Sequence, residues 1–154
     1  MERKFYLTKE GLQRLKKEYE ILKNLKFLKL KGEIPQIFHS EEISNEYLAF
    51  KEEVGLLENK IFELENILRN YVLIGKPAKE GRNIVNIGAT VTLEDTDGAI
   101  NEFMLVDTCE SNPSEGKISI ESPVGKMLLG KKVGDEIVIT SPINVKYKIK
   151  KIKY

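Results

Sequence analysis

The feature that most constrains this chain is an unbroken apolar series in its first half. Ile43, Tyr47, Phe50, Val54, Leu57, Ile61, Leu64, Leu68 and Tyr71 recur at alternating intervals of four and three. An α-helix whose a and d positions face a partner helix keeps such residues on one line, here over roughly four heptads. At about 1.5 Å of rise per residue, a helix of ~30 residues is ~45 Å long. The partner lies just upstream, where Leu12, Leu15, Tyr19 and Leu22 repeat at three and four and Leu25 and Leu28 extend the stripe. Thr8 is placed to cap that first helix, and Gly32 and Pro35 end or kink it. So short a connector predicts antiparallel neighbours. Gly55 costs the second helix about 1 kcal/mol relative to Ala, which predicts a packing demand at that position.

The chain changes character near Gly75-Lys76-Pro77-Ala78. Downstream, apolar and polar residues alternate with the period of strands: Ala89 to Leu93, Glu102 to Val106, Lys117 to Ile120, Glu136 to Ile139, and Val145 to Ile152. Asp97-Gly98 between the first two is a hairpin turn. Ser122 as N-cap, Pro123 at the first helical position and Gly130 as the stop frame one short helix. The fold class read from this pattern is α+β, with an antiparallel coiled-coil hairpin over residues 1–75 and a small α+β domain over 76–154. The lysines of the last strand, Lys146, Lys148, Lys150, Lys151 and Lys153, read as the outer face of an edge strand, where lysine blocks aggregation.

Charge sets limits on function. With 25 basic and 24 acidic side chains in 154 residues, net charge alone predicts no strong affinity for nucleic acid or membrane. No apolar run is long enough to span a bilayer, and the start Met1-Glu2-Arg3-Lys4 leads into no signal-type stretch. One cysteine, Cys109, cannot form an internal disulfide, which fits a reducing cytoplasm. As a nucleophile Cys109 would need the lone histidine, His39, through a tertiary contact; a small packed residue is the simpler reading.

Ser122-Pro123-Val124-Gly125-Lys126-Met127-Leu128-Leu129-Gly130-Lys131-Lys132-Val133-Gly134-Asp135 resembles the C-terminal signature of the bacterial GreA/GreB transcript cleavage factors. Ile87-Gly88-Ala89-Thr90-Val91 is similar to the opening strand of the same domain, and Tyr6-Leu7-Thr8 with Gly11 and Leu15 to the start of the family's coiled coil. Asn45-Glu46-Tyr47, Lys51-Glu52-Glu53 with Gly55, and Ile61 with Leu64-Glu65 and Leu68 continue the resemblance along the second helix. It implies an FKBP-like C-terminal domain docked at the rim of the RNA polymerase secondary channel. The hairpin then passes down the channel, and two tip acids help hold an Mg²⁺ of the polymerase active site. The polymerase hydrolyses its own backtracked RNA, so the factor is not an enzyme and has no cofactor of its own. The implied partners are RNA polymerase and the nascent RNA 3′ end, with DNA only through the elongation complex and no membrane. The factor itself is expected as a cytoplasmic monomer. Lys51, Glu46, Tyr47, Ser122, Pro123, Gly130 and Asp135 are the implied RNA- and polymerase-binding residues.

At the tip the chain departs from the family. The family's Gly-Asp-x-(Lys/Arg)-Glu-Asn-(Ala/Ser)-Glu-Tyr is here His39-Ser40-Glu41-Glu42-Ile43-Ser44-Asn45-Glu46-Tyr47. Without gaps the two acidic positions fall on Ser40 and Ile43; with one residue missing they fall on Glu41 and Ser44. Glu41 and Glu42 are the candidate catalytic acids, since oxygen ligands suit a hard cation. They are equally explained as first-turn acids after Ser40, each favoured by the helix dipole by roughly 0.3–1 kcal/mol. Two readings stand: a factor that stimulates cleavage, and a secondary-channel regulator or inhibitor that binds without stimulating it. A third, a prolyl isomerase, is poorly served by a C-terminal block whose only aromatics are Phe103, Tyr147 and Tyr154.

Overall fold

The periodic segments are helical. In the computed structural model, which describes residues 2–32, 45–140 and 144–154, α1 spans Lys9–Lys31 and α2 spans Asn45–Arg69. All seven seam residues from Tyr47 to Leu68 are buried or half-buried, with Ile61 and Leu64 the deepest. Ile43 lies outside the described residues. Tyr71, expected as the last seam residue, instead opens a strand, β2 (Tyr71–Leu73). The helix closes at Arg69, and the Asn70 amide donates back to the Ile67 carbonyl at 3.2 Å.

Two expectations for the hairpin are corrected. After Leu22 the inward positions of α1 are Lys26 and Lys29, whose side chains are 34% and 31% exposed, while Leu25 and Leu28 are 48% and 64% exposed. The alternation of three and four set by Leu12, Leu15, Tyr19 and Leu22 carries on through 26 and 29. Two consecutive steps of three would require an overwound helix. Lysine tolerates a seam position because its methylene stem lies along apolar surface while its ammonium reaches an acid. Gly55, expected to answer a crowding neighbour, has nothing within 4 Å of where a Cβ would stand.

The chain divides into two compact units, Met1–Lys4 with Glu10–Tyr71 and Phe5–Lys9 with Val72–Tyr154. A short strand not anticipated from the sequence, β1 (Phe5–Leu7), pairs with β2, and the Ile74 amide donates to the Leu7 carbonyl at 2.8 Å. The second unit is built on a five-stranded sheet of β3 (Thr90–Asp95), β4 (Ile100–Val106), β5 (Lys117–Ser119), β6 (Glu136–Ile139) and β7 (Val145–Lys153). Their order is β5-β4-β3-β7-β6, antiparallel except for the β4–β5 pair. The Asp97-Gly98 turn joins β3 to β4, closed by Gly98 N–H to Asp95 O at 3.1 Å.

One face of the sheet carries Val91, Leu93, Leu105, Ile137 and Ile149 into a core completed by Val85, Ala89 and Leu128. Leu128 comes from the one short helix, α3 (Pro123–Leu128), and full burial of a leucine stabilises by about 1.5–3 kcal/mol. Phe103, Tyr147 and Tyr154 pack against this core, so the few aromatics of the domain are spent on packing.

The last strand is not an edge, as its lysines suggested. It lies between β3 and β6, because β7 alone joins them. Its partner register slips between Thr92 and Leu93, which pair with Lys151 and Ile149 and leave Lys150 as an extra residue. That bulge explains the Lys150-Lys151 doublet. It lets two consecutive residues face outward while Ile149 and Ile152 both turn inward.

Candidate functional site

Cross-helix contacts hold the hairpin in register toward the segment that joins its helices. The Tyr19 hydroxyl donates to Glu65 Oε1 at 2.8 Å, Lys26 pairs with Glu58 at 3.2 Å, and Lys29 pairs with Glu53. As residue numbers climb on α1 they fall by nearly the same step on α2, which is the signature of antiparallel pairing. Lys29 also lies over the Phe50 ring, 5.9 Å from its centre. These side chains are partly solvated, so each ion pair contributes at most about 1 kcal/mol and serves alignment more than stability.

The Tyr19 hydrogen bond to Glu65 holds the phenol in its neutral form and raises its pKa above the ordinary 10.0, with partial burial adding to the effect. Tyr154, whose hydroxyl donates to the Ile84 carbonyl at 2.6 Å, is raised chiefly by burial. A phenol whose folded pKa is raised contributes stability that is whole below the unfolded pKa and is lost as pH climbs through the folded one. We therefore expect stability to fall as pH rises beyond 10. In an ultraviolet titration Tyr19 and Tyr154 should ionise above the ordinary phenol value.

Glu41 and Glu42, the candidate tip acids, lie outside the described residues, as do Ser40, Ile43 and His39. Glu46 and Tyr47 occupy the first turn of α2, Glu46 exposed and Tyr47 half-buried in the seam. Lys51 is exposed one turn further on. Among the described residues no group of three or more His, Cys, Asp and Glu side chains could hold a metal. Cys109 is half-buried in a short 3₁₀ turn, Thr108–Glu110, and forms no disulfide.

In the second unit the signature residues turn out to be builders of one compact turn system. Ser122 Oγ accepts from the Gly125 amide at 3.0 Å and donates to the Ser119 carbonyl at 2.6 Å, so it caps α3 and ties it to β5. Pro123 sets the first helical φ. Gly130 stops the helix at φ 79°, a left-handed conformation that disfavours side chains. Its amide donates to the Val85 carbonyl at 2.8 Å. Asp135 closes the next turn, its Oδ2 accepting from the Lys132 amide at 2.8 Å. Pro123, Gly130 and Asp135 are each exposed, and Ser122 is half-buried.

Both units match family models. Residues 5–73 match the N-terminal domain and residues 79–154 the C-terminal domain of the transcription elongation factor GreA/GreB. The chain belongs to the GreA/GreB family. It is 38% identical over 144 residues to the transcription elongation factor GreA of Geobacillus kaustophilus, covering 92% of this chain and 90% of that protein. Similarity to GreA of Bacillus subtilis has the same identity and the same coverage. A solved structure, GreA factor homolog 1 (Gfh1) of Thermus thermophilus, is similar at 29% identity and a TM-score of 0.44, over 99% of this chain and 100% of that one.

One pair of residues in this GreA/GreB chain escaped the sequence reading. Asp107 and Glu110 are 3% and 2% exposed. Asp107 Oδ2 accepts from the Tyr6 amide at 2.9 Å, and Glu110 accepts from the Thr8 amide at 2.8 Å and the Thr8 hydroxyl at 3.0 Å. The two carboxylates grip the strand that precedes α1. Their only signal in the sequence is one acid directly after the apolar Leu105-Val106 pair and a second three residues on, which reads equally well as the end of a strand.

Proposed function

We propose that this chain binds RNA polymerase through the secondary channel and rescues backtracked elongation complexes by stimulating the polymerase's own RNA cleavage. The observation that supports this most is the composition of the hairpin's far half. From Ile21 to Lys31, α1 exposes Ile21, Leu25, Phe27, Leu28 and Leu30 and carries lysines without a single acid. A helix apolar beyond its seam is suited to being enclosed by a partner, and lysines suit a site where RNA phosphates pass. The cross-helix pairs out to Lys29 and Glu53 keep the arm in register on its way to the joining segment that contains Glu41 and Glu42.

In this reading Glu41 and Glu42 are the oxygen donors offered to a magnesium ion of the polymerase active site, whose chemistry is water activation for phosphodiester hydrolysis. The chain is then an accessory factor in the cytoplasm, with no catalysis of its own. Its C-terminal domain engages the polymerase through the surface around Ser122, Pro123, Gly130 and Asp135, and Lys51 lies toward the RNA. A second reading, a channel-binding regulator that does not stimulate cleavage, is favoured by Ser40 and Ile43 at the ungapped acidic positions.

The test is a stalled, backtracked polymerase carrying end-labelled RNA. Addition of the protein should shorten the RNA, and Glu41→Ala with Glu42→Ala should lower the rate by about a hundredfold while polymerase binding persists. Binding without shortening of the RNA leaves the regulator reading in possession. No binding at all rejects both.

A further inference from the structure

The lysine row of β7 lacks the explanation its sequence suggested, because the strand is central and needs no protection against edge pairing. Lys146, Lys148, Lys150, Lys151 and Lys153 nevertheless all face solvent. Along a strand, alternate residues stand ~6.8 Å apart, and the bulge sets Lys150 and Lys151 closer still, so the positive charges left unpaired repel one another. The acids that face them from the flanking strands are Glu94 on β3 and Glu136 on β6, which stand on either side of Lys148 in register but are held by Lys150 at 2.6 Å and Lys146 at 2.7 Å. Glu102 sits one strand further away, opposite Thr92. Lys148, Lys151 and Lys153 make no ion pair among the described residues.

The bulge is what keeps the row intact. In an unbroken strand that turns Ile149 inward, Lys151 would point into the core and Ile152 to solvent. The register slip at Thr92/Leu93 restores Lys151 and Lys153 to the outer face, beside Thr92 and Thr90. A bulge that re-aims side chains in this way is a feature to be explained by what those side chains do.

From this geometry we propose that the open face of the sheet binds the phosphate backbone of single-stranded RNA through Lys148, Lys151 and Lys153. The occupant follows from charge and spacing. A linear polyanion relieves the repulsion within the row, and Thr90 and Thr92 add hydroxyl donors alongside it. A flexible single strand can follow this twisted, bulged row with consecutive phosphates, which a stiff duplex cannot. The face has no aromatic side chain on which a base could stack, because Phe103, Tyr147 and Tyr154 pack toward the core. Binding is therefore blind to base sequence and steeply dependent on salt.

The experiment measures binding of the full chain to a fluorescent oligouridine by anisotropy across a range of salt concentrations. Each phosphate contact contributes about 0.7 to the slope of log K against log salt, so Lys148→Gln, Lys151→Gln and Lys153→Gln together should flatten it by ~2. All three side chains are exposed, and an unchanged circular dichroism spectrum will verify that the variant folds. Lys51→Gln on the hairpin should flatten the slope by less than half as much as the triple change. The proposal is overturned by absence of binding to the wild-type chain, by a triple variant with the original slope, or by equally tight binding of duplex RNA of the same length.

Discussion

Substituting Gly125 with alanine should unfold the β-rich unit or lower its stability by at least about 3 kcal/mol. A Cβ at this position would fall on the Ser119 carbonyl oxygen, and would stand 2.9 Å from its carbon and 3.0 Å from Ile120 Cα. Every one of those atoms is backbone, so no side chain can swing aside to make room. The residue cannot retreat either, because Ser122 holds its amide, its carbonyl accepts from the Leu129 amide, and the next turn of α3 carries Leu128 into the core. Total stability of a domain is about 5–15 kcal/mol, so this one methyl removes a large share of it. In thermal melts of a unit this small, each kcal/mol lowers Tm by roughly 4–8 °C. An alanine variant that melts within a few degrees of wild type would show that β5 and α3 are not in the close contact described. Gly55→Ala offers the internal contrast: with open space around it, that change should stabilise α2 by about 1 kcal/mol.

Loss of Glu110 should have the next largest effect. Its carboxylate is buried and accepts from the Thr8 amide and hydroxyl. Glu110→Ala leaves those donors without their acceptor, at a cost of about 1–3 kcal/mol, and vacates the volume of a fully enclosed side chain. The consequence is local before it is global. Amide exchange at Tyr6 and Thr8 should quicken by one to two orders of magnitude, about what that free energy implies, while amides in β3 change far less. Glu110→Gln keeps one acceptor oxygen and should lose roughly half as much. Equal protection of Thr8 in wild type and the alanine variant would refute the grip.

Much of this architecture was legible in the sequence because periodicity reports burial directly. The α2 seam from Tyr47 to Leu68, the strand Glu136–Ile139 and the Ser122-Pro123 helix start all lie where the pattern put them. Periodicity failed where two phases compete. Leu25 and Leu28 looked like seam residues, but the heptad begun at Leu12 gives those places to Lys26 and Lys29, whose acids on α2 become partners only once the helices are paired. Topology was hidden for a related reason. Nothing in the composition of β7 says that a lysine-rich strand lies between two others, since pairing order is decided by contacts distant in sequence. The strand Phe5–Leu7 is too short for any period to show, and its grip by Asp107 and Glu110 spans about a hundred positions. The signature around Ser122 announced the family, and the structure adds that its hydroxyls and glycines are spent on shaping the turn.

The placement of β7 also governs when the sheet can exist. Synthesis delivers β3, β4, β5 and β6 first, yet β6 has no neighbour in the sheet other than β7. Until residues 145–153 leave the ribosome, β3 presents one unpaired side and β6 two, with Val91, Leu93 and Ile137 on display. Such a half-made sheet invites pairing with other nascent chains. That exposure ends only when β7 slots between them and gives β3 and β6 each its partner.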